Sequence, residues 1–493
     1  MVNLLIVPIG RPTFDVDHGA CQVRAALELL DAGSRSAISI APEGDGSFFT
    51  DEDALTAALD GRVADADTAD AVVVLQATFS DSSMVAAIAD RLAAPIVIWS
   101  FPEARTGGRL RLNSLCGANL ASYVLRRRRH AVEFVHVDPL AARAADRVEQ
   151  ALELAAAATP APPAVETGAV TDTEFGRRLA SMFRGDRIGV IGDPPPGFEP
   201  CEGDPVRLRE LTDIDVERVS LGSLFEHADA VDDPARDAAA RRVRGSMIVD
   251  DGVESAGMSE SVALYGGLRA LAAEHHWTAV ATRCWPECMA KYGGAVCTPM
   301  AMLTENGIPA VCEADMYGAA TALMLHHVAG SDPFLADLVD VDERDDTSVL
   351  WHCGVGSTNL ADPGTPVIAI THPNRHRALA NQFALRPGRV TVARLSQAGG
   401  TVRLVIGGGE MLRRPRPFEG TCGVLQWDEP VGDVLATILR AGLEHHVGVV
   451  YGDHRSALAA LADEWGLATV WLGHAGDRES AGSDELSPLP AQP

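Results

Sequence analysis

Short apolar runs alternate with Ala-rich amphipathic stretches along most of this 493-residue chain. Runs of Val, Ile and Leu are typical of buried strands, whereas helical periodicity in the longer stretches indicates helices that pack against them. Their alternation predicts βαβ units and parallel sheets covered by helices. Because the chain is too long for one ordinary core, at roughly 100–200 residues per domain, we expect two or three domains.

Changes in residue composition and in the pattern of apolar runs along the chain suggest the domain boundaries. Strand-like runs at 4–9, 71–75 and 95–99 predict a doubly wound unit, and the Ala- and Pro-rich segment 155–170 predicts a linker after it. From about residue 345, short strand-like runs separated by turn residues indicate a β-rich unit. The predicted fold class is therefore α/β, with two doubly wound Rossmann-like domains followed by a β-rich C-terminal domain. In chain order, the expected units are an N-terminal α/β domain (1–165), a central α/β domain (175–344), the β-rich domain (345–475) and a disordered tail (476–493).

Charge and composition exclude some classes of partner. The net charge of −27, without a basic stripe, argues against nucleic-acid binding. The amino terminus reads as a strand, and no apolar run approaches the roughly 18 residues of a membrane span, so we expect a cytoplasmic protein with no membrane partner. Nine cysteines, an odd number spread over a long chain, favour reduced thiols.

Two acidic residues follow strand-like runs in the central region. Glu287 comes after the apolar run at 280–282, and Asp315 comes after the run at 308–311. In open parallel sheets the loops after the strands line the ligand crevice, so both carboxylates are candidates for one site. Two adjacent histidines, His445 and His446, precede a later strand-like run and can complete a metal site with them.

This set of residues suits metal-assisted sugar chemistry. Mn²⁺ and Mg²⁺ prefer oxygen ligands, accept an imidazole, and can chelate two neighbouring oxygens of an open-chain sugar. Polarisation by the metal acidifies the C–H beside the carbonyl, and a carboxylate can then move the proton between C1 and C2 through a cis-enediol. Two acidic residues and one histidine are therefore the smallest set of protein groups that such a proton transfer requires.

Each of these residues also has an ordinary structural interpretation. Glu287 follows a proline and suits a helix start, and Asp315 suits the N-cap of the next helix. Histidine pairs at strand starts are often structural. Nearby cysteines raise the alternative of a zinc–thiolate site, but they contain no CxxC pair, and buried packing is the favoured role. These cysteines are Cys284, Cys288, Cys297 and Cys312.

Four segments together resemble the L-fucose isomerase and L-arabinose isomerase superfamily, in particular its fucose isomerase-like branch. These segments are 283–287, 310–325, 350–354 and 442–452. The resemblance implies that Glu287 and Asp315 are both metal ligands and catalytic acid/base residues. It also implies His446, in preference to His445, as the third ligand, and Mn²⁺ as the cofactor, with Mg²⁺ or Co²⁺ as alternatives.

The resemblance further implies an assembly and a set of sugar contacts. Members of that superfamily place their sites between subunits of trimers or hexamers, so we expect a homo-oligomer in which the N-terminal domain of a neighbour closes the pocket. An anionic substrate would require an arginine clamp, and Arg11, Arg109 and Arg283 are near the expected loops. The residues expected to bind substrate are Arg11, Asp17, His18, Asn113, Trp285 and His352.

The resulting hypothesis is a metal-dependent ketol-isomerase that interconverts the aldose and ketose forms of a small-molecule sugar. Members of the branch act on deoxy-hexoses, pentoses and sulfonated hexoses, so a sulfoquinovose isomerase is an alternative within the family. A non-catalytic sugar-binding or regulatory protein, and an enzyme of metal-assisted aldol or hydrolytic chemistry, are the alternatives outside it.

Overall fold

The computed structural model describes residues 3–32, 36–42, 46–62, 68–157 and 173–473. Most of the predicted linker at 155–170 and the predicted tail at 476–493 lie outside these residues. Within the described ranges the chain is a mixed α/β protein built on three sheets.

Five parallel strands near the amino terminus form the first sheet. They are β1 (Asn3–Ile9), β2 (Ser36–Ser39), β3 (Ala71–Gln76), β4 (Ile96–Ser100) and β5 (Val132–His136), in the order β2-β1-β3-β4-β5. The accompanying helices are α1 (Val16–Asp31), α2 (Glu52–Asp60), α3 (Ser82–Arg91), α4 (Ser114–Arg127) and α5 (Ala144–Ala157). Successive residues of β1 enter different core clusters, as Leu4 and Leu5 do, because both faces of a parallel sheet are covered. The strand runs predicted at 4–9, 71–75 and 95–99 are confirmed.

A second, smaller parallel sheet lies in the middle of the chain. Its strands are β6 (Arg187–Ile191), β7 (Asp215–Val219), β9 (Ala279–Thr282) and β10 (Ala310–Val311), in the order β10-β9-β6-β7. The helices of this region are α6 (Thr173–Ala180), α7 (Pro205–Thr212), α8 (Leu221–Asp229), α9 (Asp233–Ser246), α10 (Ser255–His275), α11 (Cys297–Thr304) and α12 (Met316–Ala329). Parallel neighbours β9 and β10 send their carboxyl ends to the same edge of this sheet.

The third sheet has ten strands of mixed direction. They are β8 (Ile248–Val249), β11 (Phe334–Asp342), β12 (Thr347–His352), β13 (Ile368–Thr371), β14 (Ala378–Ala384), β15 (Gly388–Ser396), β16 (Arg403–Leu412), β17 (Thr421–Trp427), β18 (His446–Tyr451) and β19 (Ala468–Trp471). The order is β19-β16-β15-β18-β11-β12-β17-β14-β13-β8, with helices α13 (Val431–Ala441) and α14 (Arg455–Glu464) beside it. Both β8 and β11 precede residue 345, so the large sheet draws strands from the region expected to belong to the central domain.

Helix α12 joins the second and third sheets. Apolar residues cover nearly its whole circumference, as expected for a helix that is buried on all sides. It packs against β9 of the second sheet and against β15 and β18 of the third. The loop at its amino end, 312–315, is therefore held between two sheets. Among the helices in the described ranges, none is long and apolar enough to cross a membrane.

Candidate active site

A narrow cavity of about 60 Å³ opens where loops from all three sheet regions meet. Its polar wall includes Glu313, Asp337, His352 and His445. The same cavity is lined by residues from the amino-terminal region and from the loops after β9 and β13, namely Thr13, Phe14, Asn113, Trp285, Asn374 and Arg375. Residues far apart in the sequence thus contribute to one enclosed site.

His446, the first residue of β18, is fixed in orientation by Asp315. Its Nδ1 lies 2.8 Å from Asp315 Oδ2, and Arg394 donates two hydrogen bonds to that carboxylate at 2.7 and 2.9 Å. Asp315 is also the N-cap of α12 and accepts the backbone N–H of Gly318. Burial raises the pKa of Asp315, but Arg394 and His446 outweigh it, and its pKa lies well below the ordinary value. Asp315 is therefore an ionised carboxylate that directs the Nε2 atom of His446 toward other residues.

Two further carboxylates face that Nε2 atom. Glu313 Oε2 lies 3.5 Å from it, and Asp337 Oδ1 lies 3.7 Å from it. Asp337 is paired with His446 across the antiparallel strands β11 and β18, which places both side chains on one face of the sheet. Within the described residues, the buried Oδ1 of Asp337 has no hydrogen-bond partner. Three potential ligand atoms therefore converge from two strands and a loop.

The environments of Glu313 and Asp337 separate their pKa values. Burial raises the pKa of Asp337 to about 7, with Glu313 adding to the effect. Burial also raises the pKa of Glu313, but hydrogen bonding from His445 and the charge of His446 outweigh it and lower that pKa to about 2. Two carboxylates held at such different values are suited to opposite roles in proton transfer.

The second histidine, His445, and Cys201 border the same group. His445 Nε2 lies 3.1 Å from Glu313 Oε2, and Cys201 Sγ lies 3.9 Å from the same oxygen. One ligand atom from each of these three residues and one from His446 lie within 4.8 Å of one another. This thiol-containing set suits a soft metal, whereas Glu313, Asp337 and His446 offer the harder ligands that Mn²⁺ and Mg²⁺ prefer.

The structure does not bring Glu287 to Asp315 and His446. Its carboxylate accepts hydrogen bonds from Arg283 Nε and Nη2 at 2.7 and 2.8 Å, and it lines a separate, open crevice beside Lys291. The arginine four residues earlier satisfies its charge locally. In the structure Glu313, and not Glu287, lies beside His446, and the ligand role expected for Glu287 stays a prediction.

Asp315, the other carboxylate predicted as a metal ligand, is held by two neighbouring side chains. It does reach His446, but at Nδ1, and both of its carboxylate oxygens accept hydrogen bonds from Arg394. A carboxylate occupied in this way orients a ligand histidine, as is common around metal sites. Its position supports the site without supplying a free oxygen to it.

The residues expected to bind substrate separate into two groups. Asn113, Trp285 and His352 line the cavity, and Arg11 stacks over the Trp285 ring while forming an ion pair with Asp81. Asp17 and His18 instead lie in the first turn of α1 and are not among the cavity residues. Arg109 donates to Asn374 and to the backbone oxygen of Thr13, beside the cavity.

Sequence reasoning missed Glu313, Asp337 and Arg375. Glu313 and the next residue, Ala314, both have positive φ angles, 63° and 52°, which non-glycine residues adopt at a cost of about 1–3 kcal/mol each. Sequence cannot show such a turn. Asp337 did leave a signal, because it interrupts the otherwise apolar start of β11, where a buried acid is rare without a partner or a function.

Comparisons with known proteins bear on the identity of this site. Residues 6–188 match the fucose/sulfoquinovose isomerase N-terminal domain, and residues 359–470 match the L-fucose isomerase C-terminal domain. A sulfoquinovose isomerase of Priestia megaterium is 30% identical over 472 residues, which cover 95% of this chain and 98% of the relative. The chain belongs to the fucose isomerase family.

Two further relatives support this membership. A sulfoquinovose isomerase of Alkalicoccus urumqiensis is 31% identical over 479 residues, covering 95% of this chain and 99% of the relative. One of Clostridium sp. (strain MSTE9) is 28% identical over 461 residues, covering 93% and 96%. This fucose isomerase family member is therefore an isomerase that interconverts a sugar aldose and ketose. The alternatives of a non-catalytic binding protein and of aldol or hydrolytic chemistry are not supported.

Proposed function

We propose that this isomerase is metal-dependent and that Glu313, Asp337 and His446 hold the metal. The observation that carries the proposal is the convergence of Glu313 Oε2 and Asp337 Oδ1 on His446 Nε2, at 3.5 and 3.7 Å. The partnerless Oδ1 of Asp337 supports it, because a buried carboxylate oxygen without a donor is costly unless something binds it. The donor set of two carboxylates and one imidazole favours Mn²⁺, with Mg²⁺ or Co²⁺ as alternatives.

The protonation state of His446 also fits a cation at this position. Burial lowers its pKa, but Asp315, Glu313 and Asp337 outweigh that effect and hold its pKa above the ordinary value. Three carboxylates therefore stabilise positive charge at one ring. With Nδ1–H donated to Asp315, the Nε2 atom of His446 would be available to hold a metal ion, which would polarise the sugar carbonyl.

The carboxylates of this site would then carry the proton between the two sugar carbons. Glu313, ionised at neutral pH, accepts the proton from the carbon beside the carbonyl. Asp337, whose pKa lies near neutrality, exchanges a proton with the sugar oxygens. Glu313 then returns the proton that it accepted to the neighbouring carbon of the cis-enediol, and this completes the proton transfer between C1 and C2.

His352 is placed to orient the sugar. Its Nδ1 accepts the backbone N–H of Cys353 at 2.8 Å, so the ring proton lies on Nε2. That Nε2 is buried and, in the described part of the chain, has no partner. Burial lowers the pKa of His352 to about 3, which keeps the ring neutral. We propose that it donates a hydrogen bond to a sugar hydroxyl.

We propose a sulfonated hexose, sulfoquinovose, as the substrate. Its support is that three relatives are sulfoquinovose isomerases, each of which aligns over more than nine-tenths of this chain. We also propose a cytoplasmic location, since the nine free thiols suit a reducing compartment. We further propose a homo-oligomer, a trimer or hexamer, in which a neighbour's N-terminal domain adjoins the pocket. The division into two Rossmann-like domains and a β-rich domain is likewise a proposal, supported by the three sheets.

The function is tested by incubating Mn²⁺-loaded protein with sulfoquinovose in D₂O. We expect a ketose product and deuterium at the carbon beside the carbonyl, neither of which forms with metal-stripped protein. Asp337→Asn should lower kcat/KM by more than about 100-fold and reduce the bound metal, measured by elemental analysis, with an unchanged circular dichroism spectrum. Full turnover by metal-stripped protein would exclude the proposed mechanism.

A further inference from the structure

Arg375 is a charged part of the cavity wall that the proton transfer does not use. It follows β13 and lines the same cavity as Glu313 and Asp337. Its guanidinium lies over the Trp285 ring, 4.2 Å from the ring centroid. Among the described residues, no carboxylate or carbonyl oxygen accepts a hydrogen bond from that guanidinium. A cation half-buried without an acceptor therefore faces the site.

The other arginines around the cavity all have acceptors. Arg11, which also lies over Trp285, forms an ion pair with Asp81. Arg109 donates to Asn374 and to Thr13 O, and the more deeply buried Arg394 donates to Asp315. Burial lowers the pKa of Arg375, and the nearby Arg11 adds to this effect. Because withdrawal of a charge from water is costly without compensation, this one unpaired guanidinium is best explained by a ligand.

Trp285 connects the guanidinium to the reacting end of the cavity. Its indole N–H donates to Glu313 Oε1 at 3.1 Å, while its ring face carries Arg375. The wall of the cavity thus runs from the carboxylates, across one indole ring, to a cation. A sugar whose carbonyl end lies at the carboxylates would extend its far end toward Arg375.

We propose that Arg375 binds an anionic group on the far end of the sugar, and that this contact selects a hexose carrying a sulfonate at C6 over a neutral hexose. The inference rests on the proposed isomerase function. A guanidinium presents N–H donors in a planar fork, which suits an anion with several oxygens, and charge-assisted hydrogen bonds of this kind are stronger than neutral ones.

The size of the cavity indicates how Arg375 would respond to the sugar. A volume of about 60 Å³ is small beside the roughly 300–1,000 Å³ of ordinary ligand pockets. Both Arg375 and Trp285 line this small volume. A cation–π contact is weaker than a charge-assisted hydrogen bond, so the guanidinium leaves the ring when a sulfonate enters.

Binding of unreactive analogues tests this proposal without turnover. A C6-sulfonated hexitol and the matching 6-deoxy-hexitol both lack the carbonyl, and calorimetry with the full-length, Mn²⁺-loaded protein measures the affinity of each. We expect the wild type to bind the sulfonated analogue about 30-fold or more tightly, the preference expected for a buried charge contact. Arg375→Met should abolish this preference and leave the affinity for the 6-deoxy analogue within about threefold.

Two further variants separate the charge contact from a structural role. Arg377→Met removes the exposed arginine two residues away and should retain the full preference. Arg375→Lys keeps the positive charge but loses the planar set of N–H donors, and it should give an intermediate preference for the sulfonated analogue. An undiminished preference in Arg375→Met, or none in the wild type, would overturn the proposal. Tight sulfonate-dependent binding without any isomerisation would instead refute the isomerase function and leave the anion site standing.

Discussion

Two loops that leave neighbouring strands of one sheet carry glutamates with different surroundings. The loop after β9 carries Glu287, whose charge is paired with Arg283 in an open crevice. The loop after β10 carries Glu313, which is enclosed beneath Trp285 and faces His445 and His446. Strand ends bring both loops to the same edge, but local partners decide which carboxylate enters the site. Because Arg283 lies four residues before Glu287 and pairs with it, the charge of Glu287 is already compensated.

The same comparison applies to charge within the site. Asp315 is paired with Arg394, whereas Glu313 and Asp337 share only His446 and have no arginine or lysine hydrogen-bonded to them within the described ranges. Buried negative charge in excess of its partners favours a bound cation. The difference between the paired and the unpaired carboxylates is therefore the physical basis for the proposed metal ligands.

The largest expected effect separates Glu313 from Glu287. Glu313→Gln should lower kcat/KM by about 10³-fold or more, because the site loses both a metal ligand and a proton acceptor. Glu287→Gln serves as the matched control and should stay within about threefold of wild type. Steady-state isomerisation assays on both variants make the comparison. Equal losses in the two would return Glu287 to the ligand set.

Asp315→Asn should have a smaller effect, and this effect should appear as a weaker affinity for metal. The amide retains the shape and accepts the Nδ1–H of His446, but it lowers the basicity of the ring and loses the charge that pairs with Arg394. We expect metal affinity to fall by about 10–100-fold, the usual range for a residue that orients a ligand histidine. Metal titration of stripped protein measures it. Complete loss of metal even at saturating concentration would indicate that Asp315 is itself a ligand.

The smallest expected effect concerns stability at the open crevice. Arg283→Met removes the partner of Glu287, and because both groups remain in contact with solvent, the free energy of unfolding should fall by about 1 kcal/mol or less. Arg394→Met, the matched change at the buried pair, should cost about 3–5 kcal/mol, since Asp315 would be left without compensation. Denaturant unfolding of the two variants compares them. A similar cost in both would show that the buried pair is no more important to the fold than the open one.

Much of the architecture could be predicted because strand and helix periodicity is local. The runs at 4–9, 71–75 and 95–99 became strands of the first sheet, and the stretch after Asp315 became a helix. The addition of β8 and β11 to the ten-stranded sheet could not be predicted, since pairing depends on partners distant in the chain. No local pattern distinguishes which sheet a short apolar strand joins.

Two of the segments singled out in the sequence contribute to the cavity. Segment 312–315 does so through Cys312 and Glu313, and the histidine pair does so through His445. Yet the left-handed turn at Glu313 and the pairing of Asp337 with His446 arise only when the loop and the two strands are assembled. Arg375 lies outside every predicted motif, and its contact with Trp285 likewise arises only in the assembled fold.

By itself the sequence determined the α/β class and the family, because hydrophobic periodicity and motif spacing are properties of the linear chain. Only the tertiary structure decided that Glu313, and not Glu287, lies beside His446, that Asp315 orients the ring, and that Arg375 has no acceptor among the described residues. These outcomes depend on side-chain direction and on compensation of charge between residues distant in the chain, which the packed fold alone establishes.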